Sequence, residues 1–267
     1  MKNTLIAIGC SFTYGEGLEF HYWKDNYPST YSRFFDKTSY EPCKFIMDSV
    51  ESFMDYRQLN RYAGVLKRFL NFELIHHNEN GGCNFKNIQK LDTIIQHLSI
   101  EKNLTPTYCV FQFTNIIRDV NEFMMQEYDA NNWLSKELYA ELKENIIYMD
   151  AQNKTKINNT IKKVFEVILS ELLKRFKTLE KLGCKTVFFV GLDDKDTFKL
   201  IKPLLEESEY YLPIIFQNTE YRSWDHMNRE NYLTLRQHLG ANDDHPCLQS
   251  HHWMANQLYK KYLEITK

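Results

Sequence analysis

Three compact apolar runs constrain this chain most: Thr4–Gly9, Thr107–Phe113 and Lys185–Gly191. Within them apolar residues sit side by side, as in Leu5-Ile6-Ala7-Ile8 and Val187-Phe188-Phe189-Val190. Alternation would mark a strand with one wet face. Continuous runs of this length mark strands covered on both faces, as in a parallel sheet. A shorter run, Phe72–His76, predicts another strand, and Pro213–Phe216 a further short one. The segments between them carry helical spacing instead. Leu59, Tyr62, Leu66 and Phe69 predict a helix over 56–69, and Ile88, Leu91, Ile94, Ile95 and Leu98 one over 86–98. A long amphipathic helix is expected over 158–182, with Ile161, Val164, Phe165, Ile168, Leu172, Phe176 and Leu179 on its face and Gly183 as its C-cap. Helices over 194–207 and 253–262 complete the order. Strands alternating with helices predict an α/β fold, a central parallel sheet with helices on both faces.

The chain has 267 residues, with no internal repeat and no linker-like composition, so one domain spanning 1–267 is expected. Two stretches fit no clean period, about 18–56 and 116–157, and are read as large loop insertions. Aromatic residues make up 15% of the chain, enough to pack thick loops or to line a cleft that stacks on a flat ligand. Rings such as Tyr14, Trp23, Phe113 and Trp133 are candidates for stacking on a sugar face.

Charge narrows the partners. Lys and Arg number 33 against 35 Asp and Glu, a net charge of -2, which disfavours a nucleic-acid partner. No run approaches the ~18 apolar residues of a membrane span, and the first apolar run is too short for a signal peptide. The six cysteines form no CxxC pair, and Cys109 and Cys184 lie inside apolar runs. A cytoplasmic, reducing location is expected. No phosphate-binding glycine loop and no HExxH occur, so no cofactor and no metal are expected. His245, His251 and His252 with Asp243 and Asp244 invite a metal reading, but a six-residue spacing does not put His245 and His251 on one helix face.

Chemistry enters at Gly9-Cys10-Ser11-Phe12-Thr13-Tyr14-Gly15. A buried strand ends, turns tightly and presents Ser11 at the carboxyl edge of the sheet, where open α/β sheets bind ligands. Serine needs a base within hydrogen-bond reach to act as a nucleophile; otherwise Ser11 is a helix cap in a turn. Asn242-Asp243-Asp244-His245-Pro246 precedes the last helix. A neighbouring carboxylate there could fix the His245 tautomer and stabilise its charged form; the plainer reading is a charged loop at a helix start. Gly81-Gly82-Cys83-Asn84 and Asn115 each follow a predicted strand and could supply oxyanion donors, although such residues are commonly turn punctuation. Arg118 is a candidate for binding an anionic group, or for a surface ion pair.

Taken in chain order, these pieces resemble the SGNH, or GDSL-type, hydrolase family. The resemblance implies a flavodoxin-like three-layer α/β/α sandwich. It implies Ser11 as nucleophile and, through its backbone N–H, as oxyanion donor, with Gly81 or Gly82 and Asn115 as the others and His245 as base. It implies a serine esterase acting on a small acyl ester, an O-acetylated carbohydrate being the concrete candidate. An O-acyltransferase would use the same residues, and an inactive binding protein is the alternative of a different class. Three positions depart from the family pattern. Gly-Asp-Ser is Gly9-Cys10-Ser11. Gly-x-x-Asn is Gln112-Phe113-Thr114-Asn115, which leaves Asn115 or Thr114 as local donor. The position three before His245 is Asn242 rather than Asp. Asp243, Asn242 or a backbone carbonyl then orients His245.

Overall fold

Four parallel strands lie at the centre, in the spatial order β2-β1-β3-β4. They are β1 (Lys2–Gly9), β2 (Glu73–Asn78), β3 (Leu104–Phe113) and β4 (Lys185–Val190). This is the doubly wound, flavodoxin-like order. The computed structural model describes residues 2–26, 51–78, 82–101, 103–147, 154–193, 195–240 and 243–267.

Successive side chains of each strand go to opposite faces, and two separate cores result. Ile6, Ile8, Cys109, Phe111, Phe188 and Val190 join one. The helices covering that face are α5 (Asn84–Ile100) and α9 (Lys154–Lys181). Leu5, Ala7, Tyr108, Val110, Val187 and Phe189 join the other, under α4 (Tyr62–Leu70) and α13 (Leu248–Ile265). The sandwich therefore has three layers, as the continuous apolar runs predict.

Several expectations are refined. The helix expected over 56–69 is two, α3 (Glu51–Asn60) and α4, broken at Arg61, whose backbone is extended. Of the first irregular stretch, α1 (Ser11–Tyr14) and α2 (Glu19–Asn26) bracket its start, and residues 27–50 lie outside the described residues. In the second, α6 (Ile117–Met125), α7 (Glu127–Trp133) and α8 (Lys136–Ile147) are regular helices, and Val120, Phe123, Ala130 and Leu142 extend the first core. After α10 (Lys195–Glu206), Tyr211 makes one parallel bridge with Phe188 at the edge of the sheet. Ile214–Phe216 is not a fifth sheet strand. It forms β5 of an antiparallel hairpin with β6 (Thr219–Tyr221). The turn residues Gln217 and Asn218 both have positive φ, which is what a tight two-residue hairpin requires. Two short helices, α11 (Trp224–Glu230) and α12 (Leu235–Leu239), then lead to α13.

At the carboxyl edge of β1, β3 and β4 one polar side chain is wedged. Gln112 is fully buried, contacts the Thr13 hydroxyl through Oε1, and directs Nε2 to Cys10 Sγ at 3.3 Å. Two glycines make room for it. A Cβ on Gly191 would stand 1.8 Å from Gln112 Nε2, and one on Gly9 2.7 Å from Oε1. Gly191→Ala is expected to destabilise the protein by about 1–3 kcal/mol through overpacking. Gln112→Ala removes the clashing atoms. In chemical denaturation the double variant should therefore lose less than the sum of the two single losses.

Candidate active site

β1 delivers its chain to the carboxyl edge at Gly9, and Cys10 leads into α1, a four-residue helix that starts at Ser11. Ser11 is 5% exposed, and its Oγ lies 2.9 Å from His245 Nε2. His245 Nδ1 lies 2.6 Å from Asp243 Oδ1. The same carboxylate oxygen accepts the backbone N–H of His245 at 2.8 Å. That bond, from residue i+2 to the side chain of residue i, is an Asx-turn. It holds the carboxylate beside the ring at a two-residue spacing. With Asp243 ionised, the imidazole carries its proton on Nδ1, and Nε2 is left to accept from the Ser11 hydroxyl. Asn242 and Gly81 lie outside the described residues.

The loop is held from three sides. Leu235 N–H donates to His245 O at 2.8 Å, Arg236 N–H donates to Asp243 O, and Thr234 pairs with Pro246 in a bridge. Gly17, with φ +86, lies below. A Cβ there would stand 2.1 Å from Leu235 Cδ1 and 3.1 Å from Asp243 Oδ2, so neither the backbone nor the space admits a side chain. The ring of Phe12 meets that of His245 edge to face at 5.3 Å. Asp244 turns away to Arg229 and Arg236, at 3.1 and 2.9 Å.

The pair opens into a cleft of ≈ 320 Å³ walled by Ser11, Phe12, Arg118, Leu192, Asp225, Arg229, Asp243, Asp244 and His245. Asp225 and Arg229 form an ion pair at 3.0 Å inside it, and burial raises the Asp225 carboxyl above its ordinary range. Neither was expected from sequence; both come from α11, a short helix with no motif. Glu16, 3% exposed, was also missed, and its Oε2 lies 3.5 Å from His245 Nε2.

The other candidates are distributed differently. Gly82 is buried just before α5. Asn84, the last residue of the Gly81-Gly82-Cys83-Asn84 motif, ties that segment to the one after β3. Its Oδ1 accepts Thr114 N–H at 2.8 Å, and its Nδ2 donates to Thr114 O at 3.0 Å and to Asp119 Oδ2 at 2.6 Å. Asp119 also accepts Phe85 N–H at 2.9 Å, and burial pushes its carboxyl up to about 7. Asn115 Oδ1 accepts Ile117 N–H at 2.8 Å and so starts α6. Tyr14 lies beneath the Arg57 guanidinium, 4.7 Å away, and Arg57 is itself paired with buried Glu19 at 2.7 Å. The Phe113 ring is 1% exposed and packs against Phe165 and Phe188, and the Trp133 ring packs against Phe85. Phe113 belongs to the core and is not a sugar platform, and Trp133 is partly buried against that core. Trp23 packs partly buried against the second core.

The described cysteines Cys10, Cys83, Cys109, Cys184 and Cys247 are free and buried. Burial raises the Cys10 thiol above its ordinary value. Among the described residues no cluster of three or more His, Cys, Asp or Glu could hold a metal, and no helix is long and apolar enough to cross a membrane. His251 is fully buried, away from any ligand set. It stacks on Tyr62, and its Nδ1 accepts the Tyr62 N–H at 3.1 Å.

No protein-family model matches the chain, and no curated protein matches it. Among solved structures, it is similar to a protein of the G-D-S-L family from Desulfitobacterium hafniense DCB-2. Identity is 11% over 96% of this chain and 98% of that one, with a TM-score of 0.43.

Two helices beside the site begin on neutral histidines. His251 accepts the first N–H of α4, and His21 Nε2 accepts Leu248 N–H, the first of α13, at 3.1 Å. Burial lowers both, His21 to about 4 with help from nearby His238 and Lys24. Between roughly pH 6.5 and 4 the unfolded chain therefore takes up protons that the folded chain refuses. Stability is full above that window and is lost as pH falls through it. His21→Gln keeps an acceptor but cannot titrate. Its unfolding free energy should vary less with pH over this window, by on the order of 3 kcal/mol at the acid end.

Proposed function

We propose that this chain is a serine ester hydrolase acting on a small acyl ester, with Ser11 as nucleophile, His245 as general base and acid, and Asp243 as the residue that orients it. The observation that carries the reading is the continuous line Ser11 Oγ, His245 Nε2, His245 Nδ1, Asp243 Oδ1, with both contacts at hydrogen-bond length. A serine hydroxyl is weak alone and becomes a nucleophile when a base accepts its proton during attack.

In this mechanism Ser11 Oγ bonds to the ester carbonyl carbon while its proton passes to His245 Nε2. Asp243 stabilises the imidazolium that forms. The carbonyl π electrons move onto oxygen, giving a tetrahedral oxyanion. Collapse expels the alcohol, which takes the proton from His245 and leaves an acyl-Ser11. Water, deprotonated by His245, attacks the acyl carbon and releases the acid and Ser11. Oxyanion donors in this reading are the Ser11 backbone N–H, which opens α1 and has no intrahelical acceptor, with Gly82 and Asn115. Phe12 supplies an apolar wall to the cleft, which suits a short acyl chain better than a stacked sugar.

Purified wild type should release 4-nitrophenol from 4-nitrophenyl acetate, with a burst if deacylation is the slower step. Ser11→Ala should lower kcat by at least about 10³-fold with an unchanged circular dichroism spectrum. Equal rates in the two proteins would remove Ser11 from the reaction. Asp243→Asn keeps the Asx-turn acceptor but loses the charge and the tautomer control. Its kcat should fall by about 10²–10⁴.

A further inference from the structure

We propose that the cleft takes esters bearing an anionic group, and that Arg118 is the residue that binds that group and sets the preference. The ester half of this statement rests on the hydrolase reading above; the anion half does not.

Charge in the cleft is almost entirely spoken for. Asp243 is engaged by His245. Asp225 and Asp244 are engaged by Arg229, and Asp244 also by Arg236. Glu16 faces His245 Nε2. Arg118 differs from Arg229, the other arginine of the cleft walls. It forms no ion pair among the described residues, and its Nη1 is buried without a hydrogen-bond partner. A guanidinium does not shed its proton in a protein. Burying one of its N–H groups unpaired costs free energy that a bound acceptor would recover. The side chain stands in the same cleft as Ser11, and its charge reaches the Cys10 thiol next to that serine, where it works against burial.

The backbone under Arg118 is fixed. Arg118 N–H donates to Asn115 O at 3.0 Å in the first turn of α6, and Asp119, the next residue, is anchored to Asn84 and Phe85. A planar fork on a rigid base suits two oxygens of one carboxylate or phosphate. At ≈ 320 Å³ the cleft is at the small end of ligand sites, so the anion and the scissile ester belong to one small molecule. The anion can belong to the acyl part or to the alcohol part.

Two ester pairs separate these cases. Monomethyl and dimethyl succinate place the charge, or its neutral counterpart, on the acyl side. 4-Acetoxybenzoate and methyl 4-acetoxybenzoate place it on the alcohol side. Binding is measured by calorimetry on Ser11→Ala, which cannot turn the esters over in the proposed mechanism, and turnover by wild type is followed by acid release. In at least one pair the anion should bind about tenfold or more tightly than its neutral partner. Adding Arg118→Gln should bring that ratio near one without lowering the thermal midpoint. The same ratio in kcat/KM should fall for that pair in the Arg118→Gln single variant, which identifies the charged side. No anion preference in either pair, or a preference that survives Arg118→Gln, overturns the proposal. Anion preference in binding with no Ser11-dependent turnover of any of the four esters keeps the anion site and overturns the hydrolase reading.

Discussion

A parallel sheet buried on both faces has almost no place for polar chemistry except at its ends. Here β1, β3 and β4 send alternate side chains into two dry cores. Strand crossovers bring chain ends to the carboxyl edge, and backbone N–H groups go unpaired where a helix begins there. Ser11, Gln112 and Gly191 stand at that edge because β1, β3 and β4 end together, with Ile8 opposite Phe111 and Phe113 opposite Val190. The cleft follows from the sheet, and α11 and the loop before α13 close it.

The His245 loop combines a local device with distant supports. The Asx-turn fixes Asp243 and His245 relative to each other within three residues. It does not decide where the pair points. That direction comes from the strand-like contacts with 234–236 and from the empty space over Gly17, which belongs to the Ser11 segment. The turn that follows Ser11 thus supplies the seat for the carboxylate that meets the His245 ring.

Periodicity reports which residues are buried, and that much of the fold was legible. The four sheet strands, the helices α5, α9, α10 and α13 and the two-sided burial of β1 follow from apolar spacing alone. Spacing does not report partners. It joined α3 to α4 because Leu59 and Tyr62 share a phase, while a buried Arg61 breaks the backbone between them. It could not distinguish a fifth sheet strand from a hairpin at Ile214–Phe216, since both need the same short apolar run. Aromatic content suggested a stacking cleft, but Phe113 is consumed by packing and Trp133 partly so. At the site, Ser11 and His245 stood out by their positions in chain order. The Asp243–His245 contact needed the turn geometry, and Glu16, Asp225 and Arg229 carry no motif that would have marked them.

Cys10 precedes Ser11 directly, and an ionised thiol there would be the stronger nucleophile and the easier target for oxidants. Burial keeps its proton on, and the Gln112 amide occupies the approach to its sulfur. Two potential nucleophiles are adjacent in sequence, and only the hydroxyl opens into the cleft. The wedge that shapes the sheet edge thereby also covers the thiol that precedes Ser11.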